Sequence, residues 1–255
     1  MGFIFNGTTS QSMKVKARLT NWQASPALRN SFITIPGRAG VADFGSSIAE
    51  KIITLRCNIY PQRNFSALVH VLDDMAEWLS PEHGVKQLVL DDVPDRYFMA
   101  RLNEAVDCER LILSAGAFEL RFVCPDPHAY ANVDETFTIS EAGTHTIIRK
   151  KGNMESEPVY LLKGSIPLDT QVSIQTNDDV MNIIGPLSAG ETLVIDAALM
   201  TAKVIDADGI TLRSGLPALE QLDFARLTKG ENTITISETG ATFDELKILA
   251  KSRWR

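Results

Sequence analysis

The dominant period of this chain is two, and that restricts most of it to β-sheet. Met13-Lys14-Val15-Lys16-Ala17-Arg18-Leu19 alternates apolar and basic residues without a break, and Ile53-Thr54-Leu55-Arg56-Cys57-Asn58-Ile59 alternates in the same way. Successive side chains of a strand point to opposite faces, so each segment has one buried face and one wet face, as in antiparallel sheets. Leu111-Ile112-Leu113 and Phe118-Glu119-Leu120-Arg121-Phe122-Val123-Cys124 predict two more strands around Ser114-Ala115-Gly116.

One segment departs from this period. Phe65, Leu68, Leu72, Met75 and Leu79 follow one another at offsets of three and four, with Val69 and Ala76 beside them. That stripe predicts a helix over about 65–79. Asn64 is placed to cap its start, and Ser80-Pro81 to stop it.

A boundary follows Cys124. Pro125-Asp126-Pro127-His128-Ala129-Tyr130 holds two prolines in three residues, which restrict the backbone and withhold two donors. No sheet is expected to run through it, and Pro125, Asp126, Pro127 and Tyr130 are the expected hinge. Beyond it, short strands are expected around residues 137–139, 159–162, 172–174, 193–195, 203–205, 210–212, 233–236 and 246–249, separated by Gly, Asn and Asp turns. Such spacing fits a β-sandwich or jelly roll. Asp208-Gly209 predicts a hairpin turn between two of these strands. The expected fold is mainly β, with domains at 1–131 and 132–255 and a single helix in the first.

Charge narrows the function. The 255 residues carry 25 Lys+Arg against 32 Asp+Glu, a net charge of −7. Residues 1–131 have 13 basic and 14 acidic side chains, and the remainder 12 and 18. An acidic chain is poorly matched to phosphate-rich nucleic acid or anionic membrane. Apolar runs are too short for a membrane helix, and Met1–Gly7 turns polar too soon for a signal peptide, so synthesis in a cytoplasm is expected.

Signs of catalysis are missing. There is no G-x-S-x-G, H-E-x-x-H, P-loop or G-x-G-x-x-G, and His70, His83, His128 and His145 are scattered. Cys57, Cys108 and Cys124 are widely spaced in apolar runs, which fits buried small hydrophobes better than a metal site. Asp206-Ala207-Asp208-Gly209 lacks the later ligands of a calcium loop, and Asp91, Asp92 and Asp95 around Pro94 fit a solvated turn. No catalytic, cofactor-binding or metal-ligating residue is assigned.

The informative segment is apolar and punctuated by glycine. It runs Phe32-Ile33-Thr34-Ile35-Pro36-Gly37-Arg38-Ala39-Gly40-Val41-Ala42-Asp43-Phe44-Gly45. Pro36-Gly37 favours a turn, and Gly40 and Gly45 permit a bend or a bulge. Phe32, Ile33, Ile35, Val41 and Phe44 are costly to leave in water, so the segment is a candidate partner surface.

The sequence resembles the distal tail proteins of long-tailed bacteriophages, often labelled phage tail component. Phe5-Asn6-Gly7, Ile35-Pro36-Gly37-Arg38-Ala39-Gly40, the Cys124–Tyr130 hinge, Gly190-Glu191-Thr192-Leu193-Val194-Ile195-Asp196 and Phe224–Ile234 carry the match, in order along nearly the whole chain. The resemblance implies an N-terminal β domain related to tail-tube proteins, followed by a galectin-like β-sandwich. It implies a non-enzymatic virion protein at the tail tip, assembled as a homohexameric ring. Its partners would be the tail tube protein, the tail-associated lysin or hub protein and, in many phages, a receptor-binding protein, with DNA passing through the central channel. A belt hairpin helps to close such rings, and Phe32, Ile33, Ile35, Pro36, Gly37, Arg38, Gly40, Val41, Phe44 and Gly45 are the candidate belt.

The alternative is a carbohydrate-binding module for host attachment. Against it, residues 132–255 hold one histidine, His145, and one tryptophan, Trp254, and no galectin recognition motif.

Overall fold

The computed structural model describes residues 1–23, 27–112 and 115–255; Leu113-Ser114, at the expected turn, lies outside them. The chain divides into two compact units, Met1–Asn132 and Val133–Trp254. It is mainly β, and α1 below is the single α-helix among the described residues.

The first unit contains β1 (Phe3–Phe5), β2 (Thr8–Thr9), β3 (Val15–Leu19), β4 (Leu28–Ile33), β5 (Ala42–Ile48), β6 (Lys51–Ile59), α1 (Phe65–Trp78), β7 (Lys86–Leu90), β8 (Val93–Leu102), β9 (Glu109–Ile112), β10 (Ala115–Cys124) and β11 (Ala129–Ala131). Its main sheet runs β2-β1-β7-β8-β10-β6-β3, with β9 against β10 and β11 against β8. Alternation sets the register between β10 and β6. Phe118, Leu120 and Phe122 face Cys57, Leu55 and Ile53 on the buried side, while Glu119 and Arg121 face Arg56 and Thr54. Cys57 and Cys124 are buried, and burial pushes both thiols up to about 12. Cys108 is half-buried and precedes β9 rather than lying within a strand.

Asn64 caps α1 as expected, its Oδ1 accepting the Ala67 amide at 2.9 Å. The buried face is shifted from the one expected. Leu68, Val71, Met75 and Trp78 are buried, whereas Phe65 is half exposed and Leu72 is only partly covered. Trp78 accounts for the shift. Its ring stacks on Phe3 at 5.3 Å between centroids and meets Phe5 at 6.2 Å, and its Nε1 donates to the Phe5 carbonyl at 3.0 Å. A tryptophan buries more apolar area than the residues it displaces and also needs a partner for its N–H, which this orientation supplies. Leu79 remains buried just past the helix end.

The proline-rich segment also departs from expectation. Two residues beyond Pro127, Ala129–Ala131 pairs antiparallel with β8. The prolines bend the chain, but both precede the paired residues, so no ladder donor is lost. Tyr130 is therefore a strand residue.

The second unit contains β12 (Thr136–Ile139), β13 (Gly143–Arg149), β14 (Val159–Ser165), β15 (Gln171–Thr176), β16 (Asp179–Ile183), β17 (Thr192–Asp196), β18 (Thr201–Ile205), β19 (Thr211–Ser214), β20 (Gly230–Thr239) and β21 (Thr242–Leu249). They form two sheets, β12-β21-β14-β17-β18-β19 and β13-β20-β15-β16. Leu162, Leu193, Ile195 and Ile248 from one sheet and Val172, Ile174, Ile183 and Ile234 from the other belong to a single buried cluster. Two sheets sharing one core make a sandwich. β13 and β16 were not expected from the sequence. The turn between β18 and β19 holds Gly209 at φ 82, and Asp206 Oδ1 accepts the amides of Asp208 and Ile210. That aspartate organises a turn.

Arg149 ends β13 fully buried. Its Nε donates to the Thr228 carbonyl at 3.0 Å and its Nη2 to the Met154 carbonyl. Burial lowers its pKa, and nearby Asp134 and Glu135 oppose that shift.

Candidate functional site

The apolar segment folds as the turn and arms of a hairpin. β4 and β5 form a two-stranded antiparallel sheet of their own, with Leu28 opposite Ile48, Phe32 opposite Asp43 and Ile33 opposite Ala42. At the tip, Pro36 and Gly37 occupy the centre of a type II turn. Gly37 has φ 80, and the Arg38 amide donates to the Ile35 carbonyl at 3.1 Å. Gly40, also at positive φ, continues the bend. Between Asn30 and Phe32 the register shifts, so that Phe44 and Gly45 stand opposite Ser31. Gly45, at φ 95, donates its amide to Asp43 Oδ1 at 2.8 Å. This is a β-bulge at a position that tolerates glycine best.

The hairpin is exposed along both strands. Phe32, Ile33, Ile35, Val41 and Phe44 are between 40% and 66% exposed, and Leu28 and Ile48 extend the apolar surface towards its root. Opposed residues share a face, so Leu28, Ile48 and Phe32 lie on one side and Ile33 and Ala42 on the other. A two-stranded hairpin without a packed face is marginally stable in water. An apolar surface on both sides calls for a partner. Leu28 and Ile48 were not among the residues expected here, since they flank the glycine-punctuated stretch that drew attention to it.

The root of the hairpin is tied to the first unit. The Ala49 amide donates to the Ala27 carbonyl at 2.8 Å, and Thr20 donates its amide and hydroxyl to the Thr54 carbonyl. Trp22, in the connection between β3 and β4, and Lys51, at the start of β6, meet over Phe98. Lys51 Nζ lies 4.7 Å from the Trp22 ring centre and 5.3 Å from that of Phe98. Lys51 is 7% exposed, and burial lowers its pKa. The aromatic rings give this desolvated ammonium its attraction. This clasp has no local signature, since residues nearly thirty apart must converge to form it.

The expected hinge residues form a network inside the first unit. Asp126 Oδ1 accepts the His128 amide at 3.1 Å and lies 2.6 Å from His128 Nδ1, while Tyr130 Oη donates to Asp126 Oδ2. Burial pushes the Asp126 carboxyl up, but the hydrogen bonds from His128 and Tyr130 outweigh it and hold the pKa at about 2, against an ordinary 3.8. A depressed carboxyl pKa adds stability above the ordinary value, and that stability is lost as pH falls through about 2. Asp126→Asn is expected to remove this contribution above about pH 4, and the difference between the two proteins shrinks as pH falls from 4 towards 2. At a side-chain exposure of 38% solvent screens the interaction, so the loss at neutral pH is about 1 kcal/mol. Urea midpoints of both proteins at pH 5, 3 and 2 check this, converging at the lowest pH.

Elsewhere the unit presents little chemistry. A cavity of about 440 Å³ in the second unit is lined by Glu157, Asp178, Asp179, Asp223, Phe224 and Arg226. Among the described residues, no group of three or more His, Cys, Asp or Glu is placed to hold a metal ion, and no helix is long and apolar enough to cross a membrane. Within the second unit Tyr160 is fully buried, and Phe137, Phe224 and Phe243 pack against the core. His145 is held by its Nε2 at 2.8 Å from the Glu141 carbonyl.

Comparisons with known proteins match the hairpin-bearing unit to a phage tail domain. Residues 8–124 match the phage tail protein RIFT-related domain. The whole chain superposes on the Dit protein of phage SPP1, a hub of the adsorption apparatus in phages that infect Gram-positive bacteria. That match has a TM-score of 0.75 and 14% identity, and it covers 100% of this chain and 99% of the other. A chain of the phage p2 baseplate in its activated conformation matches with a TM-score of 0.50 and 10% identity, over 94% and 92% of the two chains. No curated protein is similar to the chain by sequence. The resemblance to distal tail proteins therefore holds in the domain family of residues 8–124 and in the fold.

Proposed function

We propose that this chain is a structural hub of a phage tail tip, in which six first units associate head to tail into a closed ring. The hairpin of β4 and β5 carries the reading. It presents apolar residues on both faces of a module matched to a phage tail domain, and a patch used against a different surface of the next copy generates a ring when the rotation closes. Each contact should bury well over ~1,000 Å², the area expected of a stable interface. The ring joins the tail tube on one side to the tail-associated protein on the other. The second unit, galectin-like in its two-sheet plan, spaces and docks peripheral structures, including receptor-binding proteins. DNA passes through the centre, past first units whose sequence charge is nearly balanced. No catalytic step belongs to this role.

Phe44→Asp tests the reading. Phe44 is 66% exposed, so the substitution leaves the fold intact, with an unchanged circular dichroism spectrum. Light scattering and negative-stain images should give rings for the parent protein and monomers for the variant. Rings that persist in Phe44→Asp overturn the role of the hairpin.

A further inference from the structure

The first unit carries an apolar surface besides the hairpin. Because Trp78 turns α1 towards one side, Val69, Leu72 and Ala76 form a second apolar stripe that the core does not use, Val69 and Ala76 being exposed and Leu72 partly so. The lower end of this stripe borders a cavity of about 470 Å³ lined by Leu72, Met75, Ala76, Leu79, Leu102 and Val106. Asp107 is the one charged residue in its wall, and Asp73, Asp74 and Glu77 stand exposed on α1 nearby. Asp107 thus sets one acidic group in an otherwise apolar groove.

The hairpin tip has the opposite character. Between Ile33 and Ala42 its one charged residue is Arg38, set between Ile35 and Val41, and Gly37 and Gly40 keep the tip narrow. We propose that the groove beside α1 receives the hairpin tip of a second copy of this chain, Ile35 and Val41 entering the apolar floor and Arg38 meeting Asp107. This deepens the proposed function and rests on it, since it names the surface against which the hairpin closes the ring. The hairpin residues of a given copy are exposed, so they do not fill that copy's own groove. Plug and socket on one unit, each matched to the other and joined across copies, make a head-to-tail contact. Charge complementarity between Arg38 and Asp107 fixes which way the tip enters.

Cysteine chemistry reads this contact directly. Cys108 lies in the groove wall, whereas Cys57 and Cys124 are buried in the sheet. Full-length Val41→Cys, oxidised after assembly, should give a ladder of disulfide-linked oligomers up to the ring on non-reducing gels, and Cys108→Ser should abolish the ladder. Ala76→Glu, at an exposed position of α1, should raise the concentration needed for assembly at least tenfold without changing the circular dichroism spectrum. Arg38→Glu should do the same, with partial recovery on combination with Asp107→Arg. If Phe44→Asp abolishes rings while Ala76→Glu assembles normally and no Cys108-dependent ladder forms, the hairpin closes the ring elsewhere and the groove assignment falls alone. If Phe44→Asp also forms rings, the reading of the hairpin itself fails.

Discussion

Replacing Trp78 with Ala should destabilise the first unit by about 3–5 kcal/mol, the usual cost of deleting a large buried aromatic. The side chain is 8% exposed, stacked on Phe3 and edge-on to Phe5, while those two rings pack on Phe122 at 5.7 and 5.2 Å. Its removal opens a cavity among three rings on two strands, β1 and β10, and leaves the Phe5 carbonyl without its 3.0 Å donor. Against a typical domain stability of ~5–15 kcal/mol, a loss of this size brings the unit near its unfolding threshold. Amide exchange followed residue by residue should show β1, α1 and β10 losing protection while β14 and β21 keep theirs. Trp78→Phe should recover part of the loss, because it keeps most of the packing and lacks only the N–H. A loss below about 1 kcal/mol would mean that α1 is held by something other than this cluster.

The corresponding experiment in the second unit is Arg149→Ala, expected to cost about 3–5 kcal/mol. Arg149 is 0% exposed and ties the end of β13 to two carbonyls, those of Thr228 and Met154. Truncation removes the donor to the Met154 carbonyl, leaves the Thr228 carbonyl to the Asn232 side-chain amide, removes the packing of the long stem and leaves Asp134 and Glu135 without the nearby cation. Arg149→Lys should rescue only partly, since an ammonium lacks the planar fork that reaches two diverging carbonyls. Thermal unfolding with exchange readouts in β13 and β20 checks this. A variant as stable as the parent would show that the carbonyls find water instead.

These two residues also mark where the sequence was and was not legible. β3 and β6 alternate throughout and β10 alternates from Phe118 to Phe122, so their elements and inward faces could be read directly. β13 was missed because its buried positions include an arginine and its exposed ones an isoleucine, Ile148, which inverts the pattern. β16 has only Met181 and Ile183 to signal its inner face. The helix was legible from its spacing and cap, but not the choice between its two apolar stripes, which depends on strands distant in the chain. The candidate site was legible for a different reason: Phe32 to Phe44 are too apolar for an exposed segment and too rich in glycine for a core strand. Its clasp of Trp22 and Lys51 was not, because a cation buried over rings has no local pattern.

The bulge at Phe44 and Gly45 bears on how growth stops. A flat hairpin with open edges would offer continuous rows of amides, and copies could add strand to strand without limit. The extra residue on β5 breaks that row and increases the local twist, so in the proposed ring the hairpin engages a neighbour through its side chains rather than its backbone. Side-chain docking fits one orientation and is used up once per copy, whereas a backbone ladder repeats every few ångströms. A sticky segment can thereby be carried on a free subunit without seeding a fibril, leaving a counted assembly as the route by which its apolar surface leaves water.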